Sequence, residues 1–413
     1  MHILIVTQYF WPENFRINDL AEELVNRGHR ITILTGKPNY PAGELFPEFK
    51  ASPQNFNEYK GCKIVRVPTI MRGYGSGLKL VLNYLSYVLS ASVLGFFKFR
   101  KENFDVIFVY EPSPVTVCLP AIFLKKLKGV PVVFWVLDLW PETLEAIGVV
   151  KSPRILSWVG KLVSFIYNRC DLVLGQSKAF YKGIAQYCDD KRKIQYFPSW
   201  SEGVFSQSES IVQVAELDCK HCFKIVFAGN IGEAQDFPSI LSAAKTLKEQ
   251  GVNIKIFVLG DGRAFELVKS AVIEKELSAI VTLLGRYPLE IMPSFYAAAD
   301  ALLVTLKDSK AFSMTIPGKV QTYMEAGKPI LTMLSGEGSR IVEEAGCGLI
   351  SNSGDFQQLA NNMIEMANYS QEQLAGFGKN AKAYAKKEFD RDRLIDQLES
   401  WFKELAEKSK AQQ

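Results

Sequence analysis

The residues best placed to do chemistry in this chain are glycines that follow short apolar runs: Gly229-Asn230-Ile231-Gly232, Gly260-Asp261-Gly262 and Leu284-Gly285-Arg286. A residue without a Cβ lets backbone amides approach a phosphate or a base, and open parallel sheets bind ligands at the carboxyl ends of their strands. One such tripeptide says little, but three in one segment point to a nucleotide. Neither half opens with GxGxxG, and GxxxxGK[ST] is absent, which argues against dinucleotide and P-loop chemistry. Lys319 stands just after Pro317-Gly318, where a helix can begin and aim its amides at an anion; the plainer reading is a solvated lysine. Asp138 closes an apolar run and is the first titratable candidate, although a helix N-cap ahead of Pro141-Glu142 explains it nearly as well. Glu142 and Glu13 come after it. Cys219-Lys220-His221-Cys222 has the look of a metal half-site, but without a second pair it reads as coincidence, and no metal is expected.

The elements that must position these residues alternate. Ile3–Val6, Ile31–Leu34, Ile64–Val67, Val106–Tyr110, Val132–Trp135 and Leu172–Gly175 are strand candidates separated by stretches of helical period, which predicts a parallel sheet. In Asn18–His29 the apolar positions 20, 21, 24 and 25 would face that sheet and Gly28 would end the helix, leaving His29 as a turn residue. After a polar connector the pattern restarts with Ile225–Phe227, Ile254–Leu259, Val281–Leu284, Ala301–Val304, Ile330–Met333 and Gly348–Ile350. The 413 residues therefore divide into an α/β domain at 1–200, a linker at 201–222, a second α/β domain at 223–388 and an amphipathic helix at 389–413. That last helix carries Leu394, Leu398, Trp401, Phe402 and Leu405 on one face.

Charge is uneven. Residues 1–200 hold 25 Lys/Arg against 16 Asp/Glu, a net of +9, while the whole chain is only +4, so the remainder is −5. From Tyr59 to Lys101 there is no acidic residue at all. Such a field favours an anionic partner, phospholipid headgroups or a phosphorylated substrate. Within it, Leu78–Phe99 is apolar apart from Lys79, Asn83, Ser86, Ser90 and Ser92, and Lys79, Asn83, Ser86 and Ser90 share one narrow stripe. It reads as a buried domain helix or an interfacial one, with spanning disfavoured by the interruptions. The first residues run directly into a strand without a signal-peptide pattern, and seven irregularly spaced cysteines suggest reduced thiols and a cytoplasmic setting.

Two Rossmann-like halves with a terminal helix resemble the GT-B glycosyltransferases, and particular segments resemble their retaining family 4. The stretch from His2 to Glu13 is similar to that family's first strand and the loop over the donor sugar, with Asn14-Phe15-Arg16 where a glycine pair is common. Trp135-Val136-Leu137-Asp138-Leu139-Trp140-Pro141-Glu142 resembles its His-Asp segment, Leu137 replacing the histidine, and Gly327-Lys328-Pro329-Ile330 resembles its Gly-x-Pro-Val element. The two glutamates the family places before that element fall on Met314 and Thr322 here, and the segment instead resembles a branch with a Pro-x-Lys motif, Pro317 to Lys319. That branch contains bacterial enzymes of surface-polysaccharide assembly, among them N-acetyl-L-fucosaminyltransferases of the O-antigen.

The resemblance implies the two doubly wound domains face each other across a cleft, with the terminal helix crossing back to the first. It implies transfer of a sugar, N-acetyl-L-fucosamine or a related deoxyamino sugar, from a UDP-sugar to a polyprenyl-diphosphate-linked saccharide at the inner leaflet. The nucleotide sugar is a co-substrate, with no further cofactor and no nucleic acid. Departure of the nucleoside diphosphate needs positioned cations and amide donors, for which Lys319 is the first choice and Arg286 the second. Arg286 serves either the phosphate or, through its backbone, the base; Asn230 and Gln235 either bind the diphosphate or shape the loop. Gly229, Gly232, Gly260, Gly262, Tyr287, Thr315, Pro317, Thr322 and Ser177 complete the implied donor set, with Asp138, Lys319, Glu142 and Glu13 as the catalytic candidates. Leu137 would offer an apolar wall to the C6 methyl of a 6-deoxy sugar. A GT-B epimerase and a non-catalytic partner subunit are the competing readings.

Overall fold

The computed structural model describes residues 1–411 except 41–42, 74–76, 147–149, 202, 206–210 and 220. The chain forms two compact units, Met1–Phe197 together with the segment from Asp392, and Pro198–Arg391. The first contains strands β1 (His2–Val6), β2 (Arg30–Thr35), β3 (Glu58–Tyr59), β4 (Cys62–Arg66), β5 (Val106–Glu111), β6 (Val132–Val136), β7 (Leu172–Gly175) and β8 (Ile194–Tyr196). Its helices are α1 (Arg16–Asn26), α2 (Pro47–Ala51), α3 (Gly77–Phe99), α4 (Leu119–Lys128), α5 (Glu142–Ala146), α6 (Pro153–Arg169) and α7 (Phe180–Tyr187). The sheet order is β3-β4-β2-β1-β5-β6-β7-β8, parallel throughout apart from the β3–β4 pair. Every residue of β5 and β6 is buried, as a parallel sheet with helices on both faces requires. The sequence reading lacked β3 and β8, which are two and three residues long and too short to show a period.

The second unit contains β9 (Phe223–Ala228), β10 (Ile254–Leu259), β11 (Val281–Gly285), β12 (Ala301–Thr305), β13 (Ile330–Met333) and β14 (Gly348–Ser351). They form an all-parallel sheet in the order β11-β10-β9-β12-β13-β14. Its helices are α8 (Phe237–Glu249), α9 (Phe265–Glu274), α10 (Met292–Ala298), α11 (Lys310–Met314), α12 (Gly318–Ala326), α13 (Glu337–Ala345), α14 (Phe356–Ala367) and α15 (Gln371–Glu388). The expected linker is part of this unit: Val214 and Leu217 are buried in its core.

The last helix, α16 (Arg391–Ala411), packs on the first unit from Asp392 onward. Phe402 meets Phe108 at 5.6 Å between ring centroids and Trp401 meets Phe197 at 5.8 Å. Ile395 and Ala406 are buried with Leu394, Leu398 and Phe402, whereas Leu405 lies at the edge of the stripe. Arg27 binds Glu399 at 2.8 Å and also pairs with Asp396, and the imidazole of His29 contacts Glu399 as well. His29 is therefore a tether for the terminal helix as well as a turn residue.

Two expectations need correction. Cys219 and Cys222 are joined as a disulfide, because the three-residue spacing on a turn brings their Cα atoms to 5.8 Å, so these two thiols are not free. Helix α3 is not a buried domain helix. Its polar stripe faces the protein from Asn83 onward, with Lys79 left exposed, and its apolar face is exposed: Asn83, Tyr87, Ala91, Gly95 and Phe99 are the buried positions.

Candidate active site

In the second unit β9 and β10 run parallel and in register to their ends, and the backbone just beyond them comes into close approach. Gly229 and Gly260 have φ of 140° and 134°, and a Cβ on Gly260 would lie 1.8 Å from the Gly229 carbonyl oxygen. Only glycine fits there. The Ile231 amide donates to the Asp261 carbonyl at 2.9 Å and the Gly260 amide to the Gly285 carbonyl at 2.7 Å, so all three glycine-bearing strand ends form one surface. Lys319, the second residue of α12, reaches into it. Its Nζ lies 3.7 Å from the centroid of Phe227, and a Cβ on Gly229 would sit 2.4 Å from its Cε. Burial lowers its pKa to about 7, and among the described residues no carboxylate neutralises it. A cation parked on an aromatic face beside close-packed glycine turns is a group prepared to meet an anion. Tyr323, one turn further along α12, accepts from the Ala228 amide at 3.0 Å and donates to the Ala228 carbonyl at 3.4 Å, which fixes α12 against the end of β9.

The rest of the expected donor set divides into exposed groups and structural ones. Arg286 and Asn230 are exposed, and both belong to the strand-end surface. Gln235 accepts from the Gly232 amide at 3.2 Å, so its side chain shapes the turn. Thr315 and Thr322 bond the Ala311 and Gly318 carbonyls at 2.9 and 3.1 Å; Pro317 precedes α12, and Tyr287 donates to Glu216 at 3.0 Å. Lys307, Asp308, Ser309, Ser335 and Ser353 line a shallow hollow beside the ends of β12, β13 and β14, polar residues that the sequence reading passed over.

In the first unit the acids gather after β5 and β6. Glu111, the buried last residue of β5, accepts from the amides of Leu137 at 3.2 Å and Asp138 at 3.1 Å. Burial, and then the neighbouring Asp138, hold its carboxyl well above the usual range, and its other oxygen is buried with no hydrogen-bond partner. Asp138 accepts from the Thr143 hydroxyl, and burial raises its pKa as well. Leu137 is half-buried and its carbonyl accepts from Gln176 at 2.7 Å. Glu142 opens α5 with one carboxyl oxygen buried and unpartnered. Glu13 is buried and accepts from the amides of Phe10, Asn39 and Tyr40 at 3.2, 2.8 and 2.7 Å, so it holds two loops together; burial pushes it up to about 7. Ser177 accepts from the Phe180 amide at the start of α7.

Residues 220–384 match the family of glycosyl transferases group 1, and residues 14–200 match the glycosyl transferase 4-like domain. The two halves of the chain thus each match a glycosyltransferase model, and the fold is GT-B. A probable glycosyltransferase WbjE of Pseudomonas aeruginosa is 28% identical over 64% of this chain and 66% of that protein. A putative colanic acid biosynthesis glycosyl transferase WcaI of Escherichia coli is 25% identical over 79% of this chain and 82% of its own length. The crystal structure of Anabaena Alr3699/HepE in complex with UDP and glucose superposes with a TM-score of 0.70 at 16% identity, covering 97% of this chain and 99% of that one. The structure thus brings Gly229, Gly260 and Lys319 together in one unit, and Leu137, Asp138 and Glu111 in the other. The sequence reading missed Glu111 and Tyr323. Glu111 left a signal, a carboxylate ending the apolar run Val106–Tyr110, whereas nothing in the sequence pairs Tyr323 with Ala228.

Proposed function

We propose that this protein transfers a sugar from a UDP-sugar to a lipid-diphosphate-linked saccharide in surface-polysaccharide assembly, with retention of the anomeric configuration. The observation that carries the reading is Lys319: an amine with no carboxylate partner among the described residues, enclosed beside the Gly229–Gly260 contact and at the start of a helix. A departing UDP gains negative charge on its bridging oxygen, and Lys319, protonated as the diphosphate binds, would stabilise it together with helix amides without needing a metal. The colanic-acid name of the WcaI relative and the UDP complex of the HepE neighbour support substrate classes of this kind. Asp138, its carboxyl held by Thr143 and its amide by the Glu111 carboxyl, would bind a sugar or acceptor hydroxyl, and the leaving phosphate itself would take the acceptor's proton. Leu137 in place of histidine would favour a 6-deoxy sugar such as N-acetyl-L-fucosamine, because a 6-hydroxyl there would lose its partner. The protein would work in the cytoplasm, peripherally at the inner membrane, where such an acceptor is anchored.

The test is to incubate the protein with UDP-sugars and lipid-linked saccharides and to read product mass and anomeric configuration. The expected product is one sugar heavier with the donor's configuration kept. A donor epimerised without transfer would favour the epimerase reading, and no product from any pair would refute transfer. Leu137→His should erode preference for deoxy donors; an unchanged preference would discard the wall.

A further inference from the structure

Helix α3 is inverted relative to water. Asn83 is buried, donates to the Ile70 carbonyl and accepts from Gln8 at 2.6 Å. Ser86 accepts from the Ile70 amide at 2.9 Å, Tyr87 donates to the Thr7 and Leu34 carbonyls at 3.0 and 3.1 Å, and Ser90 donates to the Pro68 carbonyl at 2.7 Å. With Asn83, Ser86, Tyr87 and Ser90 committed to the protein, the helix presents Leu78, Leu82, Leu85, Leu89, Val93 and Phe97 to the exterior, Leu78 and Leu89 being 70% and 67% exposed. A contiguous apolar face of this size on a soluble surface marks an interaction site.

The surface extends beyond one helix. The connections β4 to β5, β5 to β6 and β6 to β7 step across the sheet in the same direction, so right-handed crossovers lay α3, α4 and α6 on one face. The rings of Phe96 on α3 and Phe123 on α4 meet at 6.5 Å, and α6 adds Ile155, Phe165 and Trp158, the last 72% exposed. None of the three helices contains an aspartate or a glutamate. Their exposed cations are Lys79, Lys98, Lys126, Arg154, Lys161 and Arg169, and two of these lie over aromatic rings: Lys161 at 5.1 Å from Trp158 and Arg169 at 3.8 Å from Phe165.

We infer that α3, α4 and α6 form the face by which this protein docks on an anionic lipid bilayer, α3 lying in the interface with its outward leucines among the acyl chains. Charge selects this occupant. A second copy of the chain meeting the same face across a two-fold axis would set cations against cations, whereas anionic headgroups neutralise them and the apolar side chains enter below. Although its 23 residues are long enough to cross a bilayer, α3 is bound by Asn83, Tyr87 and Ser90 to the loops and sheet of its own domain, and spanning would break those bonds. The proposed lipid-linked acceptor gives this surface its purpose. Vesicle binding, however, requires no nucleotide sugar and is read separately from transfer.

The experiment is co-sedimentation of the full chain with vesicles of equimolar phosphatidylcholine and phosphatidylglycerol, beside pure phosphatidylcholine, at low and raised salt. Binding is expected to the anionic vesicles and to weaken with salt. Leu85→Glu with Leu89→Glu should weaken it roughly tenfold or more, with circular dichroism unchanged because both positions are exposed. Lys161→Glu with Arg169→Glu should abolish the preference for phosphatidylglycerol. Absence of vesicle binding, or binding indifferent to the leucine substitutions, would overturn the inference. So would a dimer, seen by light scattering, that the same leucine substitutions dissolve.

Discussion

Glu111 and Asp138 show how a residue can matter without announcing itself. Two backbone amides converge on one oxygen of Glu111 while its other oxygen is buried unpaired, and the nearby Asp138 carboxyl discourages a second negative charge. Glu111 is thus a positioning residue for the Leu137–Asp138 turn, its carboxyl held well above the usual range by burial and by Asp138. Glu111→Gln keeps an oxygen for both amides and should change stability by less than about 1 kcal/mol; Glu111→Ala strips both of their acceptor and should cost roughly 1–3 kcal/mol. Urea denaturation of the two variants checks this. Asp138 was legible from its place after an apolar strand, but Glu111 was not singled out because a carboxylate ending a strand reads by default as solvated.

At the scale of elements, the decisive contact is that of α12 with β9. The Tyr323 hydroxyl is joined to both backbone groups of Ala228, the residue before Gly229, so the start of α12 and the glycine turn move as one piece. Tyr323→Phe should cost about 1 kcal/mol of stability and weaken UDP binding severalfold while leaving secondary structure intact, measured by denaturation and by titration. The long strands were legible because parallel sheets bury both faces and leave continuous apolar runs. Helix α3 was legible in extent but not in orientation. Helical periodicity separates two faces, yet it does not say which one meets water, and at Asn83, Ser86 and Ser90 hydrogen bonds to Gln8, Ile70 and Pro68 reversed the usual assignment. The 201–222 stretch reads as a linker because its polarity conceals Val214 and Leu217, two residues that the second unit's core takes up.

At the scale of the whole molecule, the first unit is built from Met1–Phe197 together with the segment from Asp392. Helix α16 covers Phe108 and Phe197 and adds Asp396 and Glu399 to the Glu23 carboxylate already at Arg27, so the first unit is complete only with this helix in place. Phe402→Ala should cost about 3–5 kcal/mol, visible as an earlier urea transition; an unchanged transition would mean that α16 contributes little. The central claim is that the second unit binds a nucleoside diphosphate through Lys319. Calorimetric titration of UDP into the full chain and into Lys319→Met tests it most directly. Because burial holds the free amine near pKa 7 and a diphosphate favours the ammonium, UDP binding should take up a proton above about pH 7 and weaken as pH rises further. Lys319→Met should lose roughly a hundredfold in affinity, together with the proton uptake. Equal UDP affinity in the two proteins, with no difference in proton uptake, would contradict the account.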